Sequence, residues 1–218
     1  MNLERLYKQI NKINVKEETD EKIKKEILNE IQTEILTNGK VNKKIVSTYK
    51  RFVKSLEVSV FFEKIFKNTQ GNYILTNGFY LLDFGNNINN IPKELQTYVD
   101  NTQTDKNLSY DNLQNVGDLK KATIDIDQLE KIHKYNKIHL NDLFLYRIDN
   151  VYLNADYLLD MFVLAGCKNK KIECEYNGEH SPINIKLENC KMILLPIKVN
   201  EDNKEHQSKL EKIINEED

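Results

Sequence analysis

The sequence has few of the residues that build special loops, because its 218 residues include only seven glycines and three prolines, and no tryptophan. It contains no glycine-rich phosphate-binding loop and no Gly-x-Ser-x-Gly nucleophile elbow. No stretch approaches the roughly 18 apolar residues of a membrane-spanning helix, and the N-terminal MNLERLYKQINK has no apolar run of signal-peptide length. These absences predict a cytoplasmic protein without a membrane partner.

Cysteine is also scarce. Cys167, Cys174 and Cys190 are an odd number of thiols with no close pairing pattern, which argues against a disulfide framework. All three lie in apolar, strand-like surroundings, where a free thiol packs as a small hydrophobic group. We therefore expect free cysteines.

The sequence lacks metal-binding motifs. It has no His-Glu-x-x-His and no Cys-x-x-Cys, and neither His133 nor His139 has a cysteine or paired carboxylate at ligand spacing. Asp83-Phe84-Gly85 has the letters of the kinase metal-binding tripeptide, but no glycine-rich loop or catalytic loop precedes it. We predict no metal and no cofactor.

Asp125 and Asp127, with Glu130 nearby, could be read as a carboxylate pair for acid–base or metal chemistry. A simpler interpretation is that Asp127 caps a helix while Asp125 lies on the polar face of a strand. No nucleophile, metal set or cofactor loop is visible. We therefore predict a binding protein rather than an enzyme.

Charge is unevenly distributed along the chain, whose formal net charge is −2. Residues 1–70 contain 15 Lys/Arg and 10 Asp/Glu, whereas residues 151–218 contain 9 Lys/Arg and 13 Asp/Glu. A basic front and an acidic back indicate an anionic partner for the front of the chain.

Periodicity divides the chain into segments and predicts an α+β fold. An N-terminal helical arm over residues 1–40 has isoleucines at every fourth position from 23 to 35, and a second part, residues 41–200, forms the main domain. Asn77-Gly78 between two strand-like runs predicts a β-hairpin. Residues 85–122 are polar and predict a long loop, with a short helix after Pro92, and residues 201–218 are a charged tail.

Residues 42–56 predict a helix with two separate faces, capped by Asn42. Its apolar arc includes Ile45, Tyr49 and Phe52, and cations occupy the opposite side. The cations are Lys43, Lys44, Lys50, Arg51 and Lys54. Long cations on one helix face suit the phosphate backbone of duplex DNA, although the same pattern is typical of a solvated face in a lysine-rich chain.

The pattern of residues 151–199 predicts the element order β-α-β-β-β, and this unit contains three motifs in a fixed order. The unit contains Tyr157-Leu158-Leu159 in its helix, Ser181-Pro182 before its middle strand, and Leu195-Pro196-Ile197-Lys198 near the end of a last strand placed at 191–199. In this order and spacing the motifs resemble the closing half-domain of sliding clamps, the bacterial DNA polymerase III beta subunit and shorter clamp-like proteins of phages. The resemblance covers about 50 residues closely and extends more loosely back to about residue 42.

The resemblance implies a clamp-like α+β fold of βαβββ half-domains with an antiparallel sheet, preceded here by an N-terminal helical hairpin. It implies a non-catalytic protein of phage or mobile-element origin that forms homo-oligomers and binds duplex DNA, replication proteins or both. The helix cations Lys43, Lys44, Lys50, Arg51 and Lys54 would contact phosphates. Leu195, Pro196, Ile197 and Lys198 would lie near a partner-peptide pocket.

The chain departs from the family in its length, in the helices before residue 40 and in the charged residues that follow the last strand. One chain has room for one clamp domain or one and a half, so a ring would need more subunits than a clamp has. The alternative is a protein–protein adaptor or regulator that self-associates through the N-terminal helices without binding DNA. The isoleucine stripe at 23, 27, 31 and 35 motivates that alternative.

Overall fold

The computed structural model describes residues 42–55, 64–115, 117–139 and 145–199, together with positions 10, 20, 23–25, 27, 28 and 31. The predicted N-terminal hairpin therefore lies mostly outside the described residues, although the isolated positions are helical. The charged tail at 201–218 lies wholly outside them.

The described part contains four α-helices, two 3-10 turns and ten strands. The helices are α1 Lys43–Ser55, α2 Tyr110–Leu113, α3 Ile126–His139 and α4 Ala155–Leu164. The 3-10 turns are Ile88–Asn90 and Lys93–Tyr98. The strands are β1 Ile65–Lys67, β2 Tyr73–Thr76, β3 Tyr80–Asp83, β4 Val99–Gln103, β5 Lys120–Asp125, β6 Leu145–Ile148, β7 Val151–Asn154, β8 Lys171–Tyr176, β9 Ile183–Lys186 and β10 Lys191–Leu194.

Eight strands form one sheet in the order β4-β1-β2-β3-β10-β9-β8-β5, and β6 and β7 form a separate two-stranded sheet. All pairs in the main sheet are antiparallel except β1 and β4, which run parallel. The predicted α+β fold class is confirmed, and the large sheet is mostly antiparallel.

The predicted hairpin is β2 and β3. The Asn77 Oδ1 atom accepts hydrogen bonds from the backbone N–H groups of Phe79 and Tyr80, both at 3.0 Å. Gly78 adopts a φ of +87°, a left-handed conformation that glycine reaches without a steric penalty. The Asn-Gly pair favours this turn because Asn77 accepts two backbone N–H groups and Gly78 adopts the left-handed conformation.

The main sheet contains the same arrangement twice. The order α1-β1-β2-β3 recurs as α4-β8-β9-β10, and the two sets of strands meet where β3 pairs with β10. This seam is antiparallel and pairs Leu82 with Met192 and Leu81 with Ile193. The strand order on one side of the seam is the reverse of that on the other, as expected for two copies related by a two-fold rotation through the seam.

Alternation along the strands gives the sheet two apolar faces. One face, with Leu75, Leu82 and Met192, packs in the main core beneath the helices. The opposite face, with Ile74, Leu81 and Ile193, forms a smaller cluster with Tyr110 of α2. The helical layer with α1, α3 and α4 lies on one side of the sheet. The opposite face is covered around the Tyr110 cluster, whereas alternate residues of β8 are exposed on it.

The polar segment at 85–122, predicted to be a long loop, contains regular structure. It holds both 3-10 turns, β4, α2 and the start of β5. Side-chain amides hydrogen-bond much of its backbone: Asn90 Nδ2 donates to the Phe84 carbonyl at 2.8 Å, and Gln96 Nε2 donates to the Ile91 carbonyl at 3.1 Å. Polar residues can order a segment in this way without an apolar run that would reveal it in the sequence. The predicted helix after Pro92 is the 3-10 turn Lys93–Tyr98.

Two finer predictions are wrong. The last strand, predicted to run from 191 to 199, ends at Leu194, because Pro196 has no N–H to continue a ladder. The α3 cap is Asp125 rather than Asp127, since Asp125 Oδ1 accepts the N–H groups of Asp127 at 3.0 Å and Gln128 at 3.2 Å.

Candidate nucleic-acid interface

Helix α1 is positioned as its sequence predicts. Asn42 caps it, since its Oδ1 accepts the Lys44 N–H at 3.1 Å, and its own N–H donates to Glu94 Oε1 at 2.9 Å. On the inner side, Ile45, Tyr49 and Phe52 are buried in the core. All five predicted cations of α1 are exposed.

The five cations fall into two rows when α1 is viewed at 100° per residue. Lys43, Lys50 and Lys54 share one narrow stripe on the exposed side, which we call the outer stripe. Lys44 and Arg51 form a second row rotated by about a quarter turn from it. The two rows have different surroundings.

The second row contacts acidic residues of the neighbouring helices. Lys44 Nζ lies 3.5 Å from Glu130 Oε1 of α3, and Arg51 forms an ion pair with Asp160 of α4. The Lys44 pair is well exposed on both sides, so it contributes little free energy. Arg51 is itself exposed, but its partner Asp160 has only 12% of its side chain accessible.

Burial of the Asp160 side chain destabilises the charged form of its carboxyl group. Burial raises the pKa of its carboxyl group, and the hydrogen bond and charge of Arg51 act in the opposite direction. The raised pKa shows that burial outweighs the ion pair. Arg51 therefore stabilises the helical layer by pairing with Asp160. A DNA phosphate would have to compete with Asp160 for the Arg51 guanidinium group.

The helical layer contains a third polar contact, which joins α3 to α4. His133 Nδ1 lies 2.7 Å from Asp156 Oδ1, and both side chains are partly exposed. The sequence analysis considered His133 only as a possible metal ligand and missed this pair. The signal was present, because Asp156 and Asp160 are four residues apart in an otherwise apolar helix and must share one face.

The predicted partner-binding residues Leu195, Pro196, Ile197 and Lys198 form an extended segment that leaves the main sheet. The Leu195 N–H donates to the Phe79 carbonyl at 2.9 Å, and the Ile197 N–H donates to the Tyr152 carbonyl at 2.8 Å. The segment thus bridges the hairpin turn and β7. Leu195 is 41% exposed.

An apolar patch lies at the start of this segment. Phe79 is 56% exposed, and its ring stacks on that of Tyr157 with centroids 5.6 Å apart. Leu195 joins Phe79 through the backbone bond described above. The sequence motifs included Leu195 and Tyr157 but gave no binding role to Phe79, which lies at the tip of the hairpin just before β3.

The carboxylates of both motifs make local structural contacts in the described residues. Asp83 of the Asp-Phe-Gly tripeptide is buried and accepts the N–H groups of Gly85 at 2.9 Å and Tyr110 at 3.0 Å, which holds α2 to the sheet. Asp127 pairs with Lys170 at the surface. Across the described part of the chain, no three His, Cys, Asp or Glu side chains are grouped so that they could hold a metal ion.

No helix in the described ranges is both long enough and apolar enough to cross a bilayer. No protein-family model, no curated protein and no solved structure matches this chain.

Proposed function

We propose that this chain is a non-catalytic, clamp-like protein that binds duplex DNA through the outer stripe of α1. The observation that carries the proposal is the twofold occurrence of a helix followed by three strands within one continuous sheet. The sequence resemblance to clamps implies such paired half-domains, whose helices lie together on one side of a sheet. Here α1 and α4 are packed in that way.

The geometry of the outer stripe suits a phosphate backbone. Lys43 and Lys54 are separated by about 16 Å along the helix axis, and Lys50 lies between them on the same side. Duplex DNA carries a phosphate charge about every 3.4 Å of axis on each strand, so three lysines over this length can contact several phosphates. Such contacts position the duplex without reading its sequence.

Charge on the neighbouring helix limits the strength of binding. Helix α4 contributes two carboxylates, of which Asp160 pairs with Arg51 and Asp156 contacts His133. The proposed contact surface is therefore the outer stripe of α1. We expect weak binding by one chain and strong dependence on salt, so that stable binding requires several copies.

The edges of the main sheet offer a way to assemble such copies. Strands β4 and β5 each have one unpaired edge among the described residues. β5 carries Lys120 and Lys121 and β4 carries Asp100, so pairing of β5 with β4 of the next chain is electrostatically favourable. This contact is head-to-tail, and it closes a ring if the rotation between copies allows.

Replication proteins are the proposed second class of partner. Phe79, Tyr157 and Leu195 form a small apolar patch beside the extended segment at 195–199. A short peptide with an apolar side chain fits such a surface, because aromatic rings supply area at low entropic cost. The patch includes Leu195 of the predicted partner-binding set and lies next to the rest.

Charge reversal of the outer stripe tests the DNA proposal. The double variant Lys43→Glu/Lys54→Glu is expected to reduce the slope of log affinity against log salt by about two, and to weaken duplex binding at 50 mM salt by roughly 10- to 100-fold. Fluorescence anisotropy with a labelled 20-base-pair duplex across a salt series measures both quantities.

The matched control is Lys186→Glu/Lys191→Glu, which makes the same charge change on the opposite face of the sheet. This control is expected to keep most of the affinity and the full salt slope. Equal losses in the two double variants, or no binding by the unmodified protein at low salt, would contradict the proposed role of α1.

A further inference from the structure

A cavity of about 530 Å³ lies between the N-terminal end of α1, the 3-10 turn at Lys93–Tyr98 and the C-terminal end of α4. Its volume is within the range of small-molecule sites, which is roughly 300–1,000 Å³. The proposed binding of DNA through the outer stripe does not involve this cavity. Its walls and its charges indicate what it could hold.

The walls are fixed by bonds between separate segments. Helix α4 ends in a left-handed glycine, Gly166, whose N–H donates to the Val163 carbonyl at 3.0 Å. A Cβ at Gly166 would be 3.3 Å from Pro92 Cγ, so glycine permits the close approach of the 3-10 turn. The Asn189 Nδ2 atom donates to the Ala165 carbonyl at 3.1 Å and the Asn90 carbonyl at 3.2 Å. These bonds hold the cavity open in one shape.

The rim is positively charged. Lys44, Lys93 and Lys168 line the cavity from three different segments, and all three are exposed. The one acidic residue that lines it, Glu94, already accepts the Asn42 N–H through Oε1 at 2.9 Å. The positive end of the α1 dipole is at the same place. Lys44 also lies 3.5 Å from Glu130 Oε1, so three cations face two carboxylates and the rim keeps a net positive charge that favours an anion.

The inner part of the cavity is apolar. Ile45 and Ile91 lie behind the lining and are almost fully buried, so the accessible apolar surface comes from Pro92 and Val163. A simple inorganic anion would leave this surface unused. An organic group attached to the anion would cover it.

We propose that the cavity binds a small phosphorylated organic molecule. The phosphate lies among Lys44, Lys93 and Lys168, whose ammonium groups act as point charges toward phosphate oxygens. The organic group packs on Pro92 and Val163, which are the partly exposed apolar residues of the lining. This site is independent of DNA binding by the outer stripe.

Cys167 provides a reporter for the site, because it lines the cavity and is partly exposed. The other two thiols are protected from reaction. Cys174 and Cys190 are buried, and burial raises the pKa of Cys174 to about 12 and that of Cys190 well above its ordinary value. A neutral thiol reagent added to the native protein should therefore modify Cys167 first.

The experiment measures the rate of Cys167 modification by N-ethylmaleimide in the full chain. Adenosine monophosphate, ribose 5-phosphate and inorganic phosphate are the probes, with sodium chloride at equal ionic strength as the reference. We expect a saturable reduction of the rate by at least tenfold with an organic phosphate, and a rise in Tm at the same concentrations. Inorganic phosphate is expected to protect only weakly.

The double variant Lys93→Glu/Lys168→Glu should lose the protection, whereas Lys186→Glu/Lys191→Glu on the opposite sheet face should keep it. Equal protection by inorganic phosphate and the organic phosphates would overturn the role of the apolar wall. Unchanged rates and unchanged Tm with all three probes would overturn the site itself. Protection that survives in Lys93→Glu/Lys168→Glu would place the ligand elsewhere and would also overturn it.

Discussion

Replacement of Leu82 by alanine is expected to lower the free energy of unfolding by about 3 kcal/mol. Leu82 is fully buried in β3 and pairs with Met192 across the seam between the two helix-and-strand units. The substitution removes three buried carbons and leaves a cavity in a position where backbone pairing on both sides restricts collapse. Urea unfolding followed by far-ultraviolet circular dichroism measures the loss.

The same substitution at Leu113 is the matched control. Leu113 lies in α2 and is 43% exposed, so Leu113→Ala should change stability by less than about 0.5 kcal/mol. Leu82→Ala should also keep a single unfolding transition, because the seam joins the two units into one sheet. Two separate transitions in the unmodified protein would show that the units fold independently, contrary to this architecture.

Replacement of Arg51 by alanine is expected to cost about 2 kcal/mol at pH 7, because it leaves the Asp160 carboxylate in a mostly buried position without its cation. The value is below that of a fully buried pair, since Arg51 itself is largely exposed to solvent. Lys54→Ala, on the same helix, should change stability by less than about 0.5 kcal/mol. Asp160→Asn keeps a side-chain oxygen for Arg51 and removes the buried charge, so it should leave stability unchanged or raise it.

The cost of Arg51→Ala should depend on pH in one direction. The pKa of Asp160 in the folded protein is raised by burial, so the folded state holds a proton that the unfolded state has already released. The contribution of Asp160 to stability is therefore most favourable below about pH 4 and falls as pH rises through its folded pKa.

Removal of Arg51 raises the pKa of Asp160 further, because the opposing cation is lost. The difference in stability between the unmodified protein and Arg51→Ala should then be small at about pH 4 and larger at pH 7. Urea titrations at the two pH values measure it. A difference that stays constant would mean that Asp160 is not the group that Arg51 stabilises.

Local patterns in the sequence predicted much of the fold because each depended on neighbouring residues. Asn77-Gly78 located the hairpin turn, and Asn42 located the start of α1. The apolar side of α1 followed from helical periodicity and is buried as predicted. In each case the physical cause operates within a few residues.

Features that depend on distant contacts were missed. The order in segment 85–122 comes from side-chain amides that bond to the backbone, and periodicity does not report such bonds. The ion pairs of Lys44 and Arg51 involve residues 86 and 109 positions away. The sequence therefore predicted five equivalent cations on α1, whereas Lys44 and Arg51 differ in pairing with carboxylates of α3 and α4.

The cavity beside α1 was also invisible in the sequence. Its lysines lie at positions 44, 93 and 168, and only the fold brings them to one rim. No pattern of neighbouring residues in the sequence indicates that these distant segments meet at a cavity.

The most direct test of the clamp-like proposal is the retention of closed circular duplex DNA by the protein, combined with its mass in solution by light scattering. The protein is first mixed with circular plasmid at low salt, and the complex is then washed at high salt and linearised with a restriction enzyme. We predict an oligomer that remains on the circle through the wash and is released after linearisation, because a closed ring is held by topology rather than by charge.

A protein that is monomeric with and without DNA, and that the high-salt wash removes equally from circular and linear DNA, would contradict the account. An oligomer indifferent to DNA would also contradict it, and would favour self-association through the N-terminal helices.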